Sequence, residues 1–166
     1  MKKVISLSAM ILLSACASEK ASEIKCPKIV IASELSKSVM FDPKGGDPLM
    51  RTEMDSVRPR CELGSKKIDV DMLLRLTSFR KAGTTKPLSG KFPYFVAVVD
   101  PQDNILKRSE HVLEVDLDEK KSNKVSLQQI TETMPISGFD TLKFVIGFSL
   151  SDDQLAFNRN VRARGN

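Results

Sequence analysis

The sequence has no tryptophan, one tyrosine and one histidine, and aromatic residues make up only 5% of its 166 residues. A single histidine, His111, excludes a zinc site built from several histidines. No G-x-S-x-G motif accompanies it that would mark a serine nucleophile. We expect His111, at the start of a predicted strand, to be a structural or surface residue. The sequence thus predicts a non-enzymatic protein with no catalytic residue, metal ligand or cofactor, and a hydrolase that uses His111 is the least favoured alternative.

Strong charge bias and long apolar runs are also missing. The formal net charge is +5, which includes Lys2 and Lys3, and this is far from the basic stripe that a nucleic-acid-binding domain presents. The longest mostly apolar stretch, residues 4–13 with serines at positions 6 and 8, is too short for a transmembrane helix, which needs about 20 residues. These features argue against a nucleic-acid partner and against a membrane-spanning segment.

The N-terminus carries the clearest motif of the chain. Lys2 and Lys3 precede the apolar run, which ends Leu13-Ser14-Ala15-Cys16. Two positive charges before a short apolar core are typical of a secretory signal peptide. A leucine three residues before a cysteine, with two small residues between them, resembles the lipobox of bacterial lipoproteins. The resemblance covers residues 1–16 and implies removal of residues 1–15 and lipidation of the Cys16 thiol, whereas an ordinary signal peptide containing a cysteine is the alternative.

The lipobox resemblance also implies a location. Acyl chains such as palmitate on Cys16 would anchor the protein, because each buried CH₂ adds about 0.8 kcal/mol of membrane affinity. Ala17 follows the cysteine, where an aspartate would favour the inner membrane in the enterobacterial sorting pattern. We therefore expect a cell-envelope protein on the periplasmic face of the outer membrane. Residues 16–25 are polar and predict a lipidated tether with a reach of about 15–18 Å.

Two cysteines, Cys26 and Cys61, remain once Cys16 is assigned to lipid. Because secreted compartments are oxidising, an even pair predicts a disulfide. It would close a loop of roughly 36 residues and stabilise the domain by about 3–4 kcal/mol. Two reduced, buried cysteines are the alternative, and the spacing excludes a CxxC redox motif.

The pattern of apolar residues predicts an all-β domain over residues 26–158. About seven to eight short strands are expected, at residues 28–32, within 51–63, and at 68–76, 92–99, 105–106, 112–117, 125–130 and 142–150. Residues 92–99 are apolar at both odd-numbered and even-numbered positions, as in a central strand covered on both faces. This favours an antiparallel β-sandwich, immunoglobulin-like or fibronectin-like, although the tryptophan of antibody domains is missing. A small β-barrel is the alternative.

The C-terminal residues predict a short helix and a tail. Ser151-Asp152-Asp153-Gln154 has the form of a capping box, so one or two helical turns should follow it. Residues 159–166, which include Arg159, Arg162 and Arg164, are expected to form a frayed basic tail.

Three further clusters have competing interpretations. Asp42 and Asp47 flank two glycines, and Asp100, Asp103 and Asn104 lie in another polar segment. Their spacing does not match a calcium loop, so we interpret both as turns. The aromatic cluster at residues 92–95 is either an exposed recognition patch or sandwich core, and core is favoured.

Residues 92–101, Phe92-Pro93-Tyr94-Phe95-Val96-Ala97-Val98-Val99-Asp100-Pro101, together with the Cys26-Pro27 start, resemble small proteobacterial envelope lipoproteins. The resemblance implies no activity. With no catalytic motif, the sequence predicts a membrane-anchored module that binds a protein partner in an envelope assembly. The alternative is a periplasmic carrier of lipid or another small ligand, which would need an apolar internal cavity.

Overall fold

The structure, a computed structural model of the chain, describes residues 22–164. The predicted signal peptide, Cys16 and the first part of the tether lie outside these residues. The described chain forms nine strands and one helix: β1 Ser22–Glu23, β2 Lys28–Ile31, β3 Lys37–Phe41, β4 Pro48–Leu63, β5 Lys67–Arg80, β6 Leu88–Val99, β7 Ile105–Leu117, β8 Asn123–Pro135, β9 Lys143–Phe148 and α1 Asp152–Arg164. Single 3₁₀ turns lie at Ser33–Leu35 and Phe139–Thr141.

The strands form two sheets that pack face to face. Sheet A has the order β1-β4-β5-β8, and β3 pairs with the same edge of β4 as β1. Sheet B has the order β2-β9-β6-β7. Every pairing is antiparallel except that of β2 with β9. This confirms the predicted all-β sandwich, built here from two mostly antiparallel sheets.

The core follows directly from the alternation along the strands. In β5, Ile68, Val70, Met72, Leu74 and Leu76 are buried, because alternate side chains point to the same face of a sheet. Residues 95–99 of β6 are buried on both parities, and β6 lies between β7 and β9. The predicted central strand is confirmed. Each large apolar side chain buried in this way adds about 1.5–3 kcal/mol.

The sandwich has two distinct ends. The described chain starts at the proximal end, where Ser22 pairs with Leu63, the last residue of β4. The distal end holds the connections at residues 42–47, 81–87 and 118–122. Because β4 contains 16 residues and a strand rises about 3.3 Å per residue, the two ends are roughly 50 Å apart.

A disulfide joins Cys26 to Cys61 near the proximal end, with a Cα–Cα distance of 5.4 Å, which confirms the predicted pair. Cys61 lies on β4 in sheet A, and Cys26 lies just before β2 in sheet B. The bond therefore ties one sheet to the other close to where the chain enters the domain.

Both ends of the predicted domain need correction. Ser22 and Glu23 pair with β4, so these two residues of the predicted tether belong to sheet A. Helix α1 has 13 residues and continues to Arg164, which is longer than one or two turns. Residues 159–164 are therefore helical rather than a frayed basic tail.

The helix is long because it packs on β3, a strand that the sequence pattern did not predict. The Phe157 ring meets the Phe41 ring edge-on at 5.6 Å between centroids. Gln154 Nε2 donates a hydrogen bond to the Val39 carbonyl oxygen at 2.6 Å. The capping box also forms, since the Ser151 N–H donates to Gln154 Oε1 at 2.9 Å and the Gln154 N–H donates to Ser151 Oγ at 3.3 Å.

Candidate functional site

Strand β8 forms one edge of sheet A. It pairs with β5 along its whole length, and within residues 22–164 no strand pairs with its other side. The side chains on its solvent-facing side carry no formal charge: Asn123, Val125, Leu127, Gln129, Thr131 and Thr133. Val125 is 49% exposed and Leu127 is 59% exposed. Leu73 on β5 pairs with Gln129, so its side chain lies diagonal to that of Leu127 on the same face. We call these three exposed apolar residues, Leu73, Val125 and Leu127, the apolar patch.

Strand β7, at the corresponding edge of sheet B, has a different character. It also exposes apolar side chains, including Val112, but charged residues surround them. Arg108 Nε lies 2.6 Å from Glu110 Oε1, and this hydrogen bond lowers the pKa of the Glu110 carboxyl. Charged side chains commonly protect sheet edges from pairing with another strand. The outer face of β8 carries no charged side chain, and the charged residues of this strand, Lys124 and Glu132, lie on its other face.

A polar cluster closes the space between these two edge strands. Glu132 points inward from β8 and is buried. Lys107 Nζ on β7 lies 2.6 Å from its carboxylate, and the Ser109 hydroxyl donates a hydrogen bond to the same group. His111 Nε2 lies 3.3 Å from Ser109 Oγ, and the His111 ring stacks on Tyr94 with centroids 5.2 Å apart.

The order of these groups differs from that of a serine hydrolase. In a catalytic triad the histidine lies between the serine and the carboxylate, so that it accepts the serine proton. Here Ser109 lies between His111 and Glu132, and its hydroxyl proton is directed to the carboxylate. The described contacts give His111 a packing role against Tyr94.

The Lys107–Glu132 pair provides a test of how the edges are held together. Lys107→Ala should lower the free energy of unfolding by about 1–3 kcal/mol, because it removes the half-exposed cation that bonds to the buried Glu132 carboxylate. Glu132→Gln combined with Lys107→Ala should cost clearly less than the sum of the single changes, with a coupling of about 1 kcal/mol in a urea-unfolding double-mutant cycle. Additive single changes would contradict this assignment.

The acidic side chains of the two loops bond either within their own turn or to a lysine of another segment. Asp100 accepts hydrogen bonds from the Asn104 side chain at 2.9 Å and from the N–H groups of Asn104 and Gln102, and these bonds, led by that of the Asn104 side chain, lower its pKa. Asp47 pairs with Lys81 at 2.6 Å. Within residues 22–164 no group of three or more acidic, histidine or cysteine side chains is arranged to hold a metal ion.

A second surface feature lies at the distal end. An open groove of about 260 Å³ runs between α1 and the outer face of sheet A. Its lining is mainly apolar and includes Val39, Leu49, Phe79, Phe157 and Val161. Arg51, Arg80 and Lys81 add positive charge, and the described lining contains no acidic residue. The Arg51 guanidinium lies over the Phe79 ring at 5.4 Å.

The sequence-predicted sites fall into three groups. Cys16 lies outside the described residues, and Cys26 and Cys61 are bonded. Phe92, Tyr94 and Phe95 are buried, as expected for core residues rather than for a recognition patch. The sequence alone did not indicate the apolar patch or the groove.

Comparison with known proteins found no matching family model, no matching curated protein and no matching solved structure. No helix in the described part of the chain is long and apolar enough to span a bilayer.

Proposed function

We propose that this protein is a lipid-anchored lipoprotein of the bacterial cell envelope whose sandwich is a non-enzymatic protein-interaction module. The observation that carries the proposal is the edge of sheet A formed by β8. There the uncharged outer face of β8 places Val125 and Leu127 in solvent beside a strand edge that pairs with no other strand within residues 22–164. The lipobox motif at residues 13–16 supports the location.

The chemistry of β8 favours a partner that contributes an extended, uncharged segment. A peptide can add a strand to an exposed sheet edge, where main-chain hydrogen bonds provide affinity and alternate side chains provide specificity. A partner strand at β8 would place every second side chain beside Leu127 and Val125. Apolar side chains there would bury the patch, whereas charged ones would lose solvation without gaining a partner.

A small-ligand carrier is the second candidate, and the groove is the observation that favours it. The groove is open and lies outside the core. Its volume of about 260 Å³ is just below the roughly 300–1,000 Å³ of most small-molecule pockets. The space between the sheets is filled by one continuous cluster of buried side chains. The edge of sheet A therefore gives the stronger argument.

Leu127→Lys tests the proposal directly. In cells that make the full-length chain, chemical crosslinking and isolation should recover a reproducible envelope partner with the wild type and about tenfold less with Leu127→Lys, because the new charge would have to be buried at the interface. The matched control is Val112→Lys on β7, since Val112 is 53% exposed and Leu127 is 59% exposed. Equal recovery of the partner with both variants, or no reproducible partner with the wild type, would contradict the proposal.

A further inference from the structure

We infer that the distal groove between α1 and sheet A is a second docking site, which accepts an acidic segment of a partner protein with an apolar side chain at its centre. This inference rests on the proposed function, because it names the chemistry of a protein partner. It concerns a different surface from the β8 edge, so the two can be tested separately.

The lining defines the chemistry of the occupant. Phe157 and Val161 on α1 line the groove together with Val39 and Phe79 on sheet A, so an inserted side chain would meet mainly apolar surface. Val161 is 46% exposed, which leaves apolar surface to be covered. Burial of one such side chain contributes about 1.5–3 kcal/mol.

The positive charges around the groove favour acidic residues on either side of the inserted apolar side chain of the partner. Arg51, Arg80 and Lys81 all line the groove, and the described lining has no carboxylate. Lys81 is paired with Asp47 at 2.6 Å and Arg51 with Glu53 at 2.8 Å, but both pairs reach solvent, so a partner carboxylate can approach the same two cations. The N–H groups of Arg80 donate to backbone carbonyl oxygens, so Arg80 contributes its positive charge rather than a free hydrogen-bond donor. Positive charge on one surface and negative charge on the other raise the association rate and favour correct partners. A basic segment would meet repulsion at the same place.

Other occupants fit less well. The N-terminal tether enters at Ser22 on the proximal end, whereas the groove borders Pro48–Arg51 at the distal end. That separation is about 40 Å along β4, and the six residues 16–21 reach at most about 20 Å. A lipid would need a larger, more enclosed site than about 260 Å³ of open groove. One or two side chains of a protein partner match that volume.

The test uses the chain from Ala17 onward, exported so that its disulfide forms, and two synthetic peptides. Both have the same Leu-Phe centre, and its flanks are glutamates in one peptide and lysines in the other. In a titration followed by ¹⁵N NMR, the glutamate peptide should shift the amide signals of Val39, Phe79 and Val161. It should bind at least about tenfold more tightly than the lysine peptide, and the difference should shrink at high salt.

Two variants make the outcome specific. Val161→Asp should abolish binding of the glutamate peptide, and Val112→Asp on β7, a similarly exposed valine, should leave it unchanged. Equal affinity for both peptides, signal shifts elsewhere, or unaffected binding to Val161→Asp would overturn the inference. So would a result in which decanoate below its micellar concentration shifts these signals and neither peptide does. If the peptide test fails while Leu127→Lys still loses the envelope partner, only the groove assignment is wrong.

Discussion

Replacement of Cys26 and Cys61 by alanine should lower the free energy of unfolding by about 3–4 kcal/mol. The bond joins residues 35 apart in sequence, so its removal frees a long loop in the unfolded chain. It also connects sheet A to the segment before sheet B. Typical domains have only about 5–15 kcal/mol of stability in total, so this loss should be evident as a lower urea midpoint.

Chemical reduction of the wild-type protein provides a control for the cysteine replacements. Wild-type protein reduced with dithiothreitol should unfold at nearly the same urea concentration as the double variant, and both should show a larger dependence on urea because the unfolded chain is more expanded. Cys26→Ala alone should match the double variant to within about 1 kcal/mol. An unchanged midpoint after full reduction would show that the bond has no part in stability.

Arg80→Ala should have the second largest effect, a loss of about 3 kcal/mol, because one guanidinium holds two distal connections together. Its nitrogens donate to the carbonyl oxygens of Leu117 at 2.9 Å, Asp118 at 2.5 Å and Lys121 at 3.1 Å. They also donate to those of Thr84 at 3.3 Å and Lys86. Hydrogen bonds to a charged group contribute about 1.5–3 kcal/mol each, although such values are not additive.

The stabilising effect of Arg80 should depend on the shape of its guanidinium group as well as on its charge. Arg80→Lys should recover less than half of the loss, because an ammonium is a compact point charge and cannot span both connections. Hydrogen exchange of amides in residues 81–87 and 118–122 should accelerate in both variants. Arg75→Ala is the control, since Arg75 makes one exposed ion pair with Asp55 at 3.5 Å, and it should change stability by no more than about 0.5 kcal/mol. A fully stable Arg80→Lys would contradict this explanation.

Strand periodicity predicted much of the fold because burial repeats at short range. The alternation in residues 68–76 identified the buried face of β5, and the apolar run in 92–99 identified the central strand. Strand β3 escaped prediction because Ser38 is buried within it and is contacted by the Gln154 side chain from α1. Only the folded chain brings that distant partner close.

The candidate surfaces were harder to predict for a related reason. Val125 and Leu127 share an apolar alternation with their neighbours, yet they face solvent while Ile130 and Met134 on the opposite parity face the core. Strand pairing with β5 decides which parity is buried. The groove and the role of Arg80 likewise depend on residues from three or more elements that converge only after folding.

The proposed lipid anchor on Cys16 is the basis for the oxidising compartment, the envelope partner and the short tether. Mass spectrometry of the full-length protein purified from cell membranes tests it most directly. We predict a mature chain that begins at Cys16 and carries acyl chains on that residue. An unmodified Cys16, or an N-terminus produced by cleavage at another position, would contradict the anchor and the location derived from it.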